Sequence, residues 1–106
     1  MPELKDDPTL ADLQAHIKQV CVEKGWDKNS ITEIYLLFSE EIGELAKGIR
    51  KTTGFKGEST ANARQNLEEE FADVLMYLMD LANYFDIDLE SVYRKKIKIN
   101  HTRKWK

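Results

Sequence analysis

The sequence predicts an all-α fold, an antiparallel helical bundle of about four helices per chain that is completed by dimerisation. Three observations carry this expectation. The 106 residues include only five Gly and two Pro, with 42% apolar and 33% charged residues, a composition that favours helix over strand or turn. Apolar residues recur three and four positions apart through long segments. Capping residues stand where those segments begin. At this length the chain forms one helical domain, residues 1–106, near the size at which association helps to complete a core.

The first helix starts after Thr9, with Asp12 three residues on in a capping-box arrangement, and stops at Gly25. Its inward residues are Leu10, Leu13, Ile17, Val20 and Cys21. Ser30 with Glu33 launches a second helix that runs to about Arg50, with Ile34, Leu37, Phe38, Ile42, Leu45 and Ile49 as its apolar stripe. From Lys51 to about Ala61 the chain reads as a polar, Gly-containing connection. A third helix spans about Asn62 to Tyr84, with Leu67, Phe71, Val74, Leu78, Leu81 and Phe85 as its stripe. Leu75, Met76 and Met79 lie away from that stripe. A helix apolar most of the way round is usually buried on both sides, which points to a homodimer or a dimer of dimers. Asp88 caps a last helix through Leu89, Val92, Tyr93 and Ile97, on which Lys96, Asn100 and Arg103 share one face.

Charge and cysteine usage exclude several classes. A net charge of -3 gives no global basic field for a nucleic-acid polymer. The segment from Arg94 to Lys106 is nonetheless basic, and a local basic patch suits phosphate. Cys21 is the sole cysteine, so no intrachain disulfide forms, in keeping with a reducing cytoplasm. Met1 to Asp7 lacks the apolar core of a signal peptide, and no run approaches a membrane span. A cytoplasmic protein without a membrane partner is expected.

The most informative residues are acidic. Glu41 and Glu44 lie in Glu40-Glu41-Ile42-Gly43-Glu44, and Glu70 and Asp73 in Glu70-Phe71-Ala72-Asp73. Each pair projects from one helical face about one turn apart. On a helical wheel both pairs fall at the same side of their apolar stripes, so an antiparallel pairing of the two helices makes all four carboxylates converge. Like charges at about 4 Å repel by roughly 4 kcal/mol at an effective dielectric of 20. Such a cluster takes up protons or binds a hard divalent cation. All-oxygen ligands favour Mg2+, with Mn2+ as a possible substitute, and Mg2+ keeps positions open for water and phosphates.

With these residues in place, the chain resembles the MazG-like all-α nucleoside triphosphate pyrophosphohydrolases. Their Glu-Glu-x-x-Glu and Glu-x-x-Asp motifs match Glu40-Glu41-Ile42-Gly43-Glu44 and Glu70-Phe71-Ala72-Asp73, and Lys96 to Arg103 looks like their Lys-x-x-x-Asn-x-x-Arg segment. The resemblance implies hydrolysis of a ribo- or deoxynucleoside triphosphate between the α and β phosphates, giving monophosphate and pyrophosphate, as in house-cleaning of the nucleotide pool. It also implies that Glu41, Glu44, Glu70 and Asp73 hold the metal and that Lys96, Asn100 and Arg103 contact phosphates. Glu40 or Glu44 would then accept a proton from the attacking water, and Trp26 would stand beside the nucleobase or serve as a packing plug. Family dimers build the four-helix core across two subunits.

Three other readings compete. A phosphoribosyl-ATP pyrophosphohydrolase shares the helical scheme and similar acids. A non-catalytic dimerisation or nucleotide-binding module would suit the apolar third helix, but has no need of four edge carboxylates. A di-iron carboxylate bundle needs Glu-x-x-His motifs, which this chain lacks.

Overall fold

The computed structural model describes residues 1–57 and 61–102, without the Lys56 side chain. Among these residues the secondary structure is entirely helical: α1 (Leu10–Lys24), α2 (Ile31–Thr53), α3 (Ala63–Tyr84) and α4 (Leu89–Thr102), with 3-10 turns at Trp26–Lys28 and Phe55–Gly57. The all-α expectation is met. The chain divides into two compact units, one built from Met1–Lys28 and the chain from Ala82 onward, the other from Asn29–Leu81.

In the first unit the predicted caps are present. Thr9 and Asp12 exchange side-chain and backbone bonds of 2.9 and 3.1 Å, and Gly25 closes α1 at φ 77°, a left-handed conformation that a Cβ would strain. Ile17, Val20 and Cys21 are buried as expected, whereas Leu10 and Leu13 are only half-buried. The unit is held together by a buried glutamine. Gln14 donates from Nε2 to Asn83 Oδ1 at 2.9 Å and to the Ile87 carbonyl at 2.6 Å, and its Oε1 accepts from the Leu89 N–H at 3.0 Å. Asn83 in turn donates to the Gln14 carbonyl at 3.1 Å. α3 ends where Asp86 takes φ 55° and the Ile87 N–H returns to the Ala82 carbonyl at 2.9 Å. Asp88 then caps α4 by accepting from the Glu90 N–H at 3.1 Å.

In the second unit Ser30 and Glu33 form their capping box at 2.9 and 3.2 Å. α2 continues past Arg50 to Thr53, because nothing in Lys51-Thr52-Thr53 breaks a helix before Gly54 turns left-handed at φ 72°. α2 and α3 approach closely at Gly48, where an added Cβ would lie 3.3 Å from Leu67 Cδ1. Thr52 Oγ1 donates to the Ala63 carbonyl at 3.2 Å. The acidic pairs therefore stand on two helices in direct contact.

The expected stripe of α3 is met in part, with Leu67, Val74 and Leu81 half-buried. Met79 and Ala82 are buried, while Phe71, Leu78 and Phe85, assigned inward, are exposed. A helix apolar on several faces offers no single moment to fix its rotation, so the partner helix chooses the phase. The core of the single chain is thin. Leu36 and Phe71 remain 62% and 56% exposed.

Candidate active site

Glu41 of α2 and Glu70 and Asp73 of α3 are brought together. One carboxylate oxygen from each lies within 4.8 Å of the others, and all three side chains are half-buried. Glu41 Oε2 and Glu70 Oε2 are buried with no hydrogen-bond partner among the described residues. Acceptors shielded from water in this way cost stability unless a cation or proton meets them. The Glu41 carboxyl is accordingly pushed up to about 7, first by burial, then by its hydrogen bond to Glu70 and by the negative charges of Glu70, Asp73 and Glu40. Two orphaned carboxylate oxygens within an all-oxygen donor set fit a hard divalent cation.

The other expected acids are placed differently. Glu44 is exposed and stands outside the three-carboxylate group, and with Glu70 it borders a neighbouring hollow of about 260 Å3. Glu40 is exposed, near enough to Glu41 for its charge to be felt. The hollow is completed by Lys47, Gly48 and Lys51 from α2 and by Asn66 and Glu69 from α3. The sequence reading had not singled out Lys47, Lys51 or Asn66. For the two lysines the signal was the spacing of Glu44, Lys47 and Lys51, three and four residues apart on one helical face; Asn66 carried none.

Tyr77 was also missed, although it follows Asp73 by four residues on the same face of α3. Its phenol is raised above the usual tyrosine value, chiefly by burial and then by the charges of Glu41 and Asp73. It therefore stays protonated and able to donate at the edge of the carboxylate group.

On α4, Lys96 is exposed and Asn100 half-buried, one turn apart. Arg103 lies outside the described residues. Trp26 occupies the 3-10 turn after α1 and is 50% exposed.

The sequence model of the MazG nucleotide pyrophosphohydrolase domain matches residues 29–105. The chain belongs to this family. It is 33% identical over 101 residues to human dCTP pyrophosphatase 1, covering 92% of this chain and 59% of that protein. It is 31% identical over 97 residues to YpjD of Bacillus subtilis, covering 92% of this chain and 87% of that protein. YvdC of the same bacterium is 30% identical over 91 residues, covering 80% and 86% of the two chains. The matched region contains all four predicted acids, Lys96, Asn100 and Arg103, whereas Trp26 lies before it.

Proposed function

We infer that this protein is a Mg2+-dependent nucleoside triphosphate pyrophosphohydrolase, cleaving between the α and β phosphates to give a monophosphate and pyrophosphate. The observation that carries this reading is the convergence of Glu41, Glu70 and Asp73 with two orphaned carboxylate oxygens on the acidic motifs of the family. These three residues would hold the cation, with Glu44 close by along α2. The bound cation would neutralise the polyphosphate and lower the pKa of water.

The chain's own residues divide the remaining work. Water attacks the α phosphorus, the bond to the bridging oxygen breaks, and pyrophosphate leaves. One proton must be taken from that water, and Glu44 is the best-placed acceptor, because it stands free of the carboxylate trio yet borders the same groove. Glu40 is the second choice. Tyr77, protonated beside the trio, would offer a hydrogen bond to the substrate, while Lys96, Asn100 and Arg103 of the family's basic segment would be the phosphate contacts and Trp26 the face for a base.

The exposed apolar faces of α2 and α3 support a homodimer, or a dimer of dimers, as the working state. No helix among the described residues is long and apolar enough to cross a membrane, and the single cysteine suits a cytoplasmic setting.

The name of the human relative makes dCTP the first substrate to test. Pyrophosphate release is measured across ribo- and deoxynucleoside triphosphates with Mg2+, with Mn2+ and with chelator, in water enriched in oxygen-18. Metal-dependent release with the label in the monophosphate is expected. Label in the pyrophosphate would contradict attack at the α phosphorus. No turnover from folded, metal-binding protein would favour phosphoribosyl-ATP or a binding role.

A further inference from the structure

The hollow beside the carboxylate trio carries charges of both signs that do not neutralise one another. Glu44, Glu69 and Glu70 border it together with Lys47 and Lys51, yet neither lysine closes an ion pair among the described residues. Lys51 is half-buried as a residue, and its ammonium has no anion of its own among the described residues. A cation in the last turn of a helix is favoured by the macrodipole, which accounts for Lys51 but not for Lys47, since Lys47 lies before that turn. Asn66 adds a carboxamide from the facing helix.

Glu70 belongs both to the trio and to this hollow. A polyphosphate held at the trio therefore enters the hollow with its next phosphates. Even with one divalent ion bound, the outer phosphates of a triphosphate keep a net negative charge, which two ammonium groups about one turn apart are spaced to meet. The geometry points to this hollow as the seat of the outer phosphates, the part released as inorganic pyrophosphate, with Lys47 and Lys51 as its cationic contacts and Asn66 as a donor from across the groove. This assignment rests on the reading of the trio as the metal site of a pyrophosphohydrolase. It makes the hollow the element that selects triphosphates over diphosphates and monophosphates.

The test is direct binding rather than turnover. Inorganic pyrophosphate and a nucleoside monophosphate are each titrated by calorimetry, with Mg2+ present, into wild-type protein, Lys47→Gln/Lys51→Gln and Lys47→Arg/Lys51→Arg. Both variants are first checked for native helicity. Loss of hydrogen bonds to a charged group should weaken pyrophosphate at least about tenfold in the Gln variant. The monophosphate and Mg2+ alone should change less than about twofold, and the Arg variant should retain pyrophosphate because the charge is kept. Unchanged pyrophosphate affinity in the folded Gln variant overturns the assignment. So does a selective loss of the monophosphate, which would place the nucleoside end in the hollow. Failure of wild-type protein to bind Mg2+ overturns the metal reading instead. Pyrophosphate titrated without metal then judges the lysines alone, a loss in the Gln variant supporting the seat and no change overturning it.

Discussion

Two polar clusters in this molecule are opposites. Around Gln14 every group answers another: amide to amide, amide to carbonyl, N–H to carboxamide oxygen, all between 2.6 and 3.1 Å. Around Glu41 three acceptors crowd together, two of their oxygens are shielded and have no hydrogen-bond partner among the described residues, and one carboxyl is raised to about 7. The first cluster is a neutral clamp that gains by being complete. The second is held at a cost to the metal-free fold, and a cost of that kind persists where something other than folding requires it.

The two clusters should part most sharply under substitution of the acids. Asp73→Asn or Glu70→Gln should cut turnover more than about a thousandfold, since several kcal/mol of transition-state stabilisation is lost, with helicity by circular dichroism unchanged. A loss of fold would make the acids structural. At the other cluster, Gln14→Leu should leave turnover per folded molecule intact but destabilise the protein by about 2–4 kcal/mol, as the Leu89 N–H and the Asn83 and Ile87 oxygens lose their partner. Denaturant unfolding measures this. A change under about 0.5 kcal/mol, within the range of an ordinary surface substitution, would show that the clamp is dispensable.

A smaller effect appears in the pH dependence of the metal-free protein. Glu41 is raised from 4.5 to about 7, so the folded chain binds more protons than the unfolded chain between those values. Stability should fall as pH rises through that window and level off above it, by at most about 3 kcal/mol and less after solvent screening. Glu41→Gln should flatten the profile and stabilise the metal-free protein near neutrality, even as it abolishes turnover. A profile unchanged by that substitution would remove the strain assigned to the trio. The smallest effect is expected at Gly43, where nothing lies within 4 Å of an added Cβ. Gly43→Ala should stabilise by about 0.5–1 kcal/mol through helix propensity. Destabilisation, together with a shift from dimer to monomer in sedimentation, would show that a second copy covers this face.

How much of this was legible in the sequence follows from how local each signal is. The caps at Thr9, Ser30 and Asp88 and the stop at Gly25 were readable because each depends on residues within one turn. The end of α2 was misplaced at Arg50, since polarity alone suggested a connection and only the first left-handed glycine ends the helix. The stripe of α3 was legible only in part because apolar residues surround the helix: Leu67, Val74 and Leu81 are half-buried, Met79 is buried and Phe71 is exposed. At the site, Glu41, Glu70 and Asp73 were foreseen from their spacing. The exclusion of Glu44 from the trio, and the placing of Tyr77, Lys47 and Lys51 beside it, depend on how α2 lies against α3 at Gly48 and Leu67. That register is a tertiary fact, which periodicity along one helix does not encode.

The most direct test is Mn2+ binding, followed by electron paramagnetic resonance and by thermal unfolding, in wild-type protein and in Glu41→Gln/Glu70→Gln/Asp73→Asn. Wild-type protein should bind the ion and gain thermal stability with its concentration, while the variant should fold, bind none and show no such gain. Equal Mn2+ binding by the variant would contradict the assignment of these three carboxylates as the metal centre.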